Sequence, residues 1–254
     1  METTAKNTPK LDVADDCEAL AQEALRIFVS QANKTISEKD TFCTAISGGK
    51  TPARFFQLLG QAEQSKKLPW EKVHLFWVDE RYVEPDSQQS NYRLARETFL
   101  DSVPVPQENI HRIPTEHDDI DMSAKQYEQV IRDVFSLTSP DEVPRFDLIL
   151  LGMGADGHTG SLFPDSYASF NTENLVCAVY GMGERLSRIT LTRKVLHAAE
   201  SLVVMVCGRE KAHTIKQVLS AEPDEIKYPI HILWPVLEKV TWLLDRAAAG
   251  EIQP

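Results

Sequence analysis

The sequence predicts an α/β fold in which a mostly parallel sheet is flanked by helices. Three observations lead there. Short apolar runs alternate with stretches of helical periodicity at close spacing, the pattern of consecutive βαβ units. One run, FDLILLG at 146–152, is apolar without interruption, as a strand covered on both faces must be. Three runs end directly in polar loops: Ser47-Gly48-Gly49, Asp79-Glu80-Arg81 and Gly152 through His158. Open parallel sheets bind ligands beyond the carboxyl ends of their strands, so these loops are expected to share one edge.

Residues 1–10 are expected to form a loose tail, and 11–254 one domain. Over 14–32, Leu20, Ala24, Ile27 and Phe28 recur at helical spacing, with Asp15 or Asp16 as cap. TFCTAI at 41–46 reads as a buried strand; SGGKTP follows, and Pro52 suits the first turn of the helix PARFFQLL. VHLFWV at 73–78 is the next strand, and SNYRLARETFL at 90–100 a helix capped by Ser90 or Asn91. A short strand fits 109–113 and a helix 121–136. After FDLILLG, strands are expected at 175–180, 187–191, 201–207 and 240–244, with helices at 192–199 and 209–220. No internal repeat, low-complexity tract or long linker interrupts the pattern. Phe55, Phe56, Phe76, Trp77, Leu148, Ile149, Val204, Trp234 and Trp242 are expected in the core.

Composition narrows the function classes. The chain has 254 residues, 42% hydrophobic and 26% charged, as in soluble globular proteins. A formal charge of −11 argues against nucleic-acid and anionic-membrane partners, while a few basic residues in a cleft can still receive an anionic small molecule. No run approaches the ~18–20 apolar residues of a membrane span. METTAKNTPK lacks the apolar core of a signal peptide, so the cytoplasm is the expected compartment. Cys17, Cys43, Cys177 and Cys207 lie far apart without a CxxC, and three sit in apolar runs. They read as core thiols, and no structural zinc is expected. The sequence leaves the oligomeric state open and favours a monomer.

Three motifs compete for the chemistry. Gly152-Met153-Gly154-Ala155-Asp156-Gly157 matches G-x-G-x-x-G after a strand, but HTGSLFPDSYASF is a poor helix to follow it, and Glu173 lies in a loop rather than ending a second strand. A nicotinamide site is therefore not expected. Ser47-Gly48-Gly49-Lys50-Thr51 resembles a Walker loop, but its first glycine position holds Thr44. A glycine turn feeding a helix still offers N–H groups to a phosphate or an oxyanion. Asp156-Gly157-His158 places a carboxylate two residues from an imidazole. Too few ligands surround it for a metal, and histidine's pKa suits a general base near neutral pH.

Taken together, SGGKTP at 47–52, DER at 79–81, SNYRLARETFL at 90–100, LGMGADGHTGSLFP at 151–164, SRITLT at 187–192 and CGREKA at 207–212 resemble the glucosamine-6-phosphate isomerase/6-phosphogluconolactonase family. In the deaminase branch DGH typically continues toward a glutamate; here Thr159 to Pro164 contain none, which points to the lactonase branch. The resemblance implies a Rossmann-like fold. It implies hydrolysis of 6-phospho-D-glucono-1,5-lactone, the second step of the oxidative pentose phosphate pathway, with no nicotinamide or metal required. His158 would be the base and Asp156 its orienting partner. Donors from Gly48-Gly49 or Arg81 would hold the oxyanion. Arg188 and Lys211, by resemblance, would bind the phosphate with Ser47, and Lys50 is a weaker candidate. Asp79 would accept from sugar hydroxyls or hold Arg81. The alternatives are a deaminase or isomerase of a hexosamine phosphate and a non-catalytic sugar-phosphate-binding protein.

Overall fold

The computed structural model describes residues 9–252 apart from 165 and 184. Its strands and helices run in the order β1 (Lys10–Ala14), α1 (Cys17–Lys39), β2 (Phe42–Ile46), α2 (Lys50–Leu59), α3 (Ala62–Ser65), β3 (Val73–Trp77), β4 (Asp79–Arg81), α4 (Asn91–Thr98) and β5 (Ile110–His111). They continue with α5 (Ile120–Val134), β6 (Leu148–Gly152), β7 (Val176–Val179), β8 (Arg188–Leu191), α6 (Arg193–Ala198), β9 (Leu202–Val206), α7 (Ala212–Ser220) and β10 (Val240–Asp245).

Seven strands form a sheet in the order β1-β10-β9-β6-β2-β3-β5, every pair parallel. β6 and β9 are buried almost throughout, which explains their unbroken apolar sequence. After β2 the chain moves one way to β3 and β5, then crosses back to β6 on the other side of β2. The crevice between the ends of β2 and β6 is thus a topological switch point, the position where such sheets take ligands. Asp16 caps α1, its carboxylate accepting from Ala19 N at 2.8 Å, and Ser90 caps α4.

Four expectations are corrected. The strands at 175–180 and 187–191 do not join the main sheet; as β7 and β8 they form a separate antiparallel sheet, β4-β8-β7. Asp79-Glu80-Arg81, expected as a loop, is its edge strand. This small sheet docks on the end of β3 through Leu191 N–H donating to the Val78 carbonyl at 2.7 Å. Of the expected tail, residues 1–8 lie outside the described residues, while Lys10 opens β1. Cys17 and Cys207, expected as free thiols, form a disulfide; Cys43 and Cys177 are free. Local spacing carries no signal for a bond spanning 190 residues.

The core residues expected from the sequence are buried, except Trp234, which is half-buried. At the end of β3 the fully buried Tyr127 hydroxyl donates to Trp77 O and accepts from Trp77 N, both at 2.9 Å. Burial drives its pKa far upward, so it stays neutral. Tyr127→Phe strands both groups and is expected to lower stability by about 1–3 kcal/mol in a denaturant titration. A change within error would mean that water replaces the hydroxyl.

Candidate active site

The loops after β2, β6 and β9 meet strand β4 and β8 around one pocket of about 160 Å³. Ser47, Gly48, Gly49, Asp79, Arg81, His158, Arg188 and Lys211 all line it, so eight of the nine expected site residues converge. The ninth, Asp156, stands directly behind His158. A larger groove of about 940 Å³, between α5 and the small sheet, holds none of them.

The loop after β6 is shaped to present one imidazole. Gly157 has φ +80°, a backbone state that glycine adopts without strain. Thr159 Oγ1 donates to Gly152 O at 2.9 Å and Thr214 Oγ1 to Ala155 O at 2.6 Å, while Ile230 N donates to Gly157 O at 3.0 Å. Asp156 Oδ1 then lies 2.5 Å from His158 Nδ1 and accepts from His158 N at 3.2 Å. Burial pushes the Asp156 carboxyl up, but the His158 hydrogen bonds and ring charge outweigh it and hold the group below its ordinary value. A carboxylate accepting at Nδ1 fixes Nδ1 as the donor and leaves Nε2 the basic nitrogen.

The ring is held between Gly154 and Phe163. Phe163 lies 4.6 Å away, centroid to centroid. A Cβ on Gly154 would come within 2.2 Å of His158 Nδ1 and Cε1. Gly154→Ala therefore displaces the ring, and a kcat loss of about 10- to 100-fold is expected, because errors near 1 Å in reacting groups cost that much. Unchanged kcat in steady-state assays would show that the ring position is not limiting.

Cations dominate the charged lining of the pocket. Among the described lining residues the only carboxylate is Asp79, set against Arg81, Arg188, Lys211 and Lys50. Asp79 does not hold Arg81, one of the two roles foreseen for it. Its Oδ2 accepts from Ser161 Oγ at 2.7 Å and faces Arg188 Nη1 at 3.7 Å. Arg81 instead donates from Nη1 to Gln89 O at 2.6 Å. Arg188 also lies over the Phe163 ring, at 5.3 Å, with Arg185 beside it at 4.3 Å. Burial lowers the pKa of Arg188, as do Arg81 and Arg185, against the opposing pull of Asp79 and Glu80. Burial also lowers that of Lys211, opposed by Glu210 and Asp245. Ser47 Oγ, Arg81 Nε and Arg188 Nε are buried without a hydrogen-bond partner among the described residues. At Gly49, which opens α2 with φ +110° and no side-chain cap, the first helical N–H groups add further donors.

Sequence reading missed the supports. Glu80, 2% exposed, accepts from Arg81 N and Asn91 N at 2.7 Å, Tyr92 N at 2.8 Å and Ser90 Oγ at 3.0 Å, closing the segment between β4 and α4. Burial raises its pKa and these four bonds pull it back. Asn91 donates to Asp79 O at 2.9 Å, and its Oδ1 lies where a Cβ on Gly48 would be, 1.9 Å from that position. A glycine at 48 is thus required by close approach. The pattern S-N after D-E-R was the available signal, read only as a helix cap.

Residues 15–242 match the family described as glucosamine-6-phosphate isomerases/6-phosphogluconolactonase. A 6-phosphogluconolactonase of Nostoc sp. is 38% identical over 242 residues, covering 95% of this chain and 98% of the relative. One of Synechocystis sp. is 37% identical over 246 residues, covering 97% and 99%. The crystal structure of 6-phosphogluconolactonase from Leishmania guyanensis superposes with a TM-score of 0.85 at 25% identity, covering 97% of this chain and 100% of that one. Sequence and fold agree over nearly the whole length, and the chain belongs to the glucosamine-6-phosphate isomerase/6-phosphogluconolactonase family.

Proposed function

We propose that the chain hydrolyses 6-phospho-D-glucono-1,5-lactone to 6-phospho-D-gluconate by water attack assisted by His158. One observation carries the reading: a carboxylate-oriented imidazole shares a pocket, sized for one small molecule, with Arg81, Arg188 and Lys211, and Arg81 Nε, Arg188 Nε and Ser47 Oγ have no protein partner among the described residues. The names of the Nostoc and Synechocystis relatives support it.

Water against Nε2 gives up a proton as its oxygen attacks the lactone C1. The carbonyl oxygen gains negative charge, met by the Gly48-Gly49 N–H groups or by Arg81 Nε. Preorganised donors of this kind contribute ~3–4 kcal/mol each. The ionised Asp156 stabilises the imidazolium, which returns its proton to the ring oxygen as the C1–O bond breaks. Arg188, Lys211 and Ser47 Oγ hold the phosphate, with Asp79 keeping Arg188 in place. Water is the nucleophile, since Ser47 Oγ has no bond to His158 or to any other described residue.

The test is a coupled assay with freshly generated lactone, corrected for spontaneous hydrolysis. Turnover well above background is expected. Background rates alone would leave a binding protein, and ammonia release from glucosamine 6-phosphate would move the chain to the deaminase branch. Asp79, the one carboxylate among the described residues lining the pocket, is already engaged by Ser161 and Arg188, which disfavours that branch.

A further inference from the structure

Away from the chemistry, a cysteine pair is built into the segment that delivers Lys211. Cys17 is the exposed first residue of α1, and Cys207 directly follows β9. Their Cα atoms are 5.7 Å apart, within the ~4.4–6.8 Å that a disulfide spans. After Cys207 comes Gly208, with φ +108°, and then a single 3-10 turn, Arg209–Lys211. Lys211 ends that turn in the active-site pocket.

Asp245, 3% exposed at the end of β10, joins the pair to the turn. Its Oδ1 accepts from Gly208 N at 3.1 Å and Ala248 N at 2.8 Å. Its Oδ2 faces both sulfurs, 3.4 Å from Cys17 Sγ and 3.8 Å from Cys207 Sγ. The carboxylate also acts on the charge of Lys211. One sulfur is therefore open to solvent, while the other sits four positions before a pocket cation on a glycine hinge.

We propose that Cys17 and Cys207 form a thiol–disulfide exchange site, reduced by a dithiol and read out as a change in the grip of Lys211 on the substrate phosphate. A thiolate of the dithiol attacks the exposed Cys17 Sγ, forming a mixed disulfide and breaking the Cys17–Cys207 bond. The electron pair leaves on Cys207, which takes a proton from solvent. The second thiolate of the dithiol then attacks the mixed disulfide and releases Cys17, which is protonated in turn. The protein gains two electrons and two protons, and the dithiol departs as a disulfide. In the cytoplasm expected from the sequence, such bonds are redox-responsive rather than permanent. Oxidised, the bond ties the Lys211 turn to α1. Reduced, the tie to α1 is lost, Gly208 N keeps its bond to Asp245, and a thiol now competes for that carboxylate.

The inference rests on the phosphate role proposed for Lys211, so its test does not depend on turnover alone. The full chain is prepared oxidised and after dithiothreitol, and its thiols are counted by alkylation under denaturing conditions. Binding of 6-phosphogluconate is measured by calorimetry, and KM with lactone that carries or lacks the phosphate. Reduction is expected to expose two further thiols and to weaken Kd and KM for the phosphorylated compounds about fivefold. The phosphate-free lactone should respond little. Cys17→Ser should behave as reduced and ignore dithiothreitol. Four reactive thiols in the oxidised chain, one bound zinc per chain protecting them, or equal affinities in both states would each overturn the proposal. A chain that hydrolyses no lactone yet binds 6-phosphogluconate in a redox-dependent way would overturn the hydrolytic reading and support this one.

Discussion

His158→Asn lowers kcat by about 10²–10⁴, the usual contribution of a general acid–base group, while the thermal unfolding curve stays close to that of the parent. Asparagine keeps a donor for Asp156 and fits between Gly154 and Phe163, so the loop persists. What it lacks is a basic nitrogen at the Nε2 position. KM should change little, because the phosphate grip proposed for Arg188, Lys211 and Ser47 does not involve His158. Full activity in the variant would remove His158 from the chemistry.

The second large effect concerns Arg188. Arg188→Ala is expected to reduce kcat/KM for the phosphorylated lactone by about 10²–10³, since removing one member of a buried charged contact costs several kcal/mol. Part of this comes from Asp79, which loses its facing cation while keeping Ser161 and Asn91. The diagnostic comparison is with phosphate-free gluconolactone, whose much lower rate should barely move. Equal losses on both compounds would show that Arg188 serves the reacting carbonyl instead. Lysine at 188 should rescue only in part, because an ammonium supplies charge without the planar fork.

Local pattern made much of this fold legible. Buried strands such as LILLG and LVVMV announce themselves by unbroken apolar sequence, and the caps Asp16 and Ser90 by their position before helical periodicity. The convergence of the SGG and DGH loops followed from one rule about strand ends. What escaped depends on partners distant in the chain. β1 is largely exposed, with Leu11 and Val13 over 40% accessible, and is a strand only because β10 pairs with it. Asp79-Glu80-Arg81 becomes a strand because β8 lies beside it. Glu80 and Asn91 are polar residues whose purpose appears only once Gly48 and Arg81 are in place. His74 and His111, scattered in sequence, stack 5.3 Å apart across β3 and β5, and burial, followed by the neighbouring ring, pushes His111 down to about 4.

The pairing of β1 with β10 also dictates when the molecule can be finished. β1 is synthesised long before β10, so its place in the sheet stays open while the elements between them are made. Contacts this distant close slowly, and unpaired edges invite association with other chains in the meantime. The backbone of Leu11 and Val13 thus stays unpaired until β10 arrives and gives it a neighbour on one side.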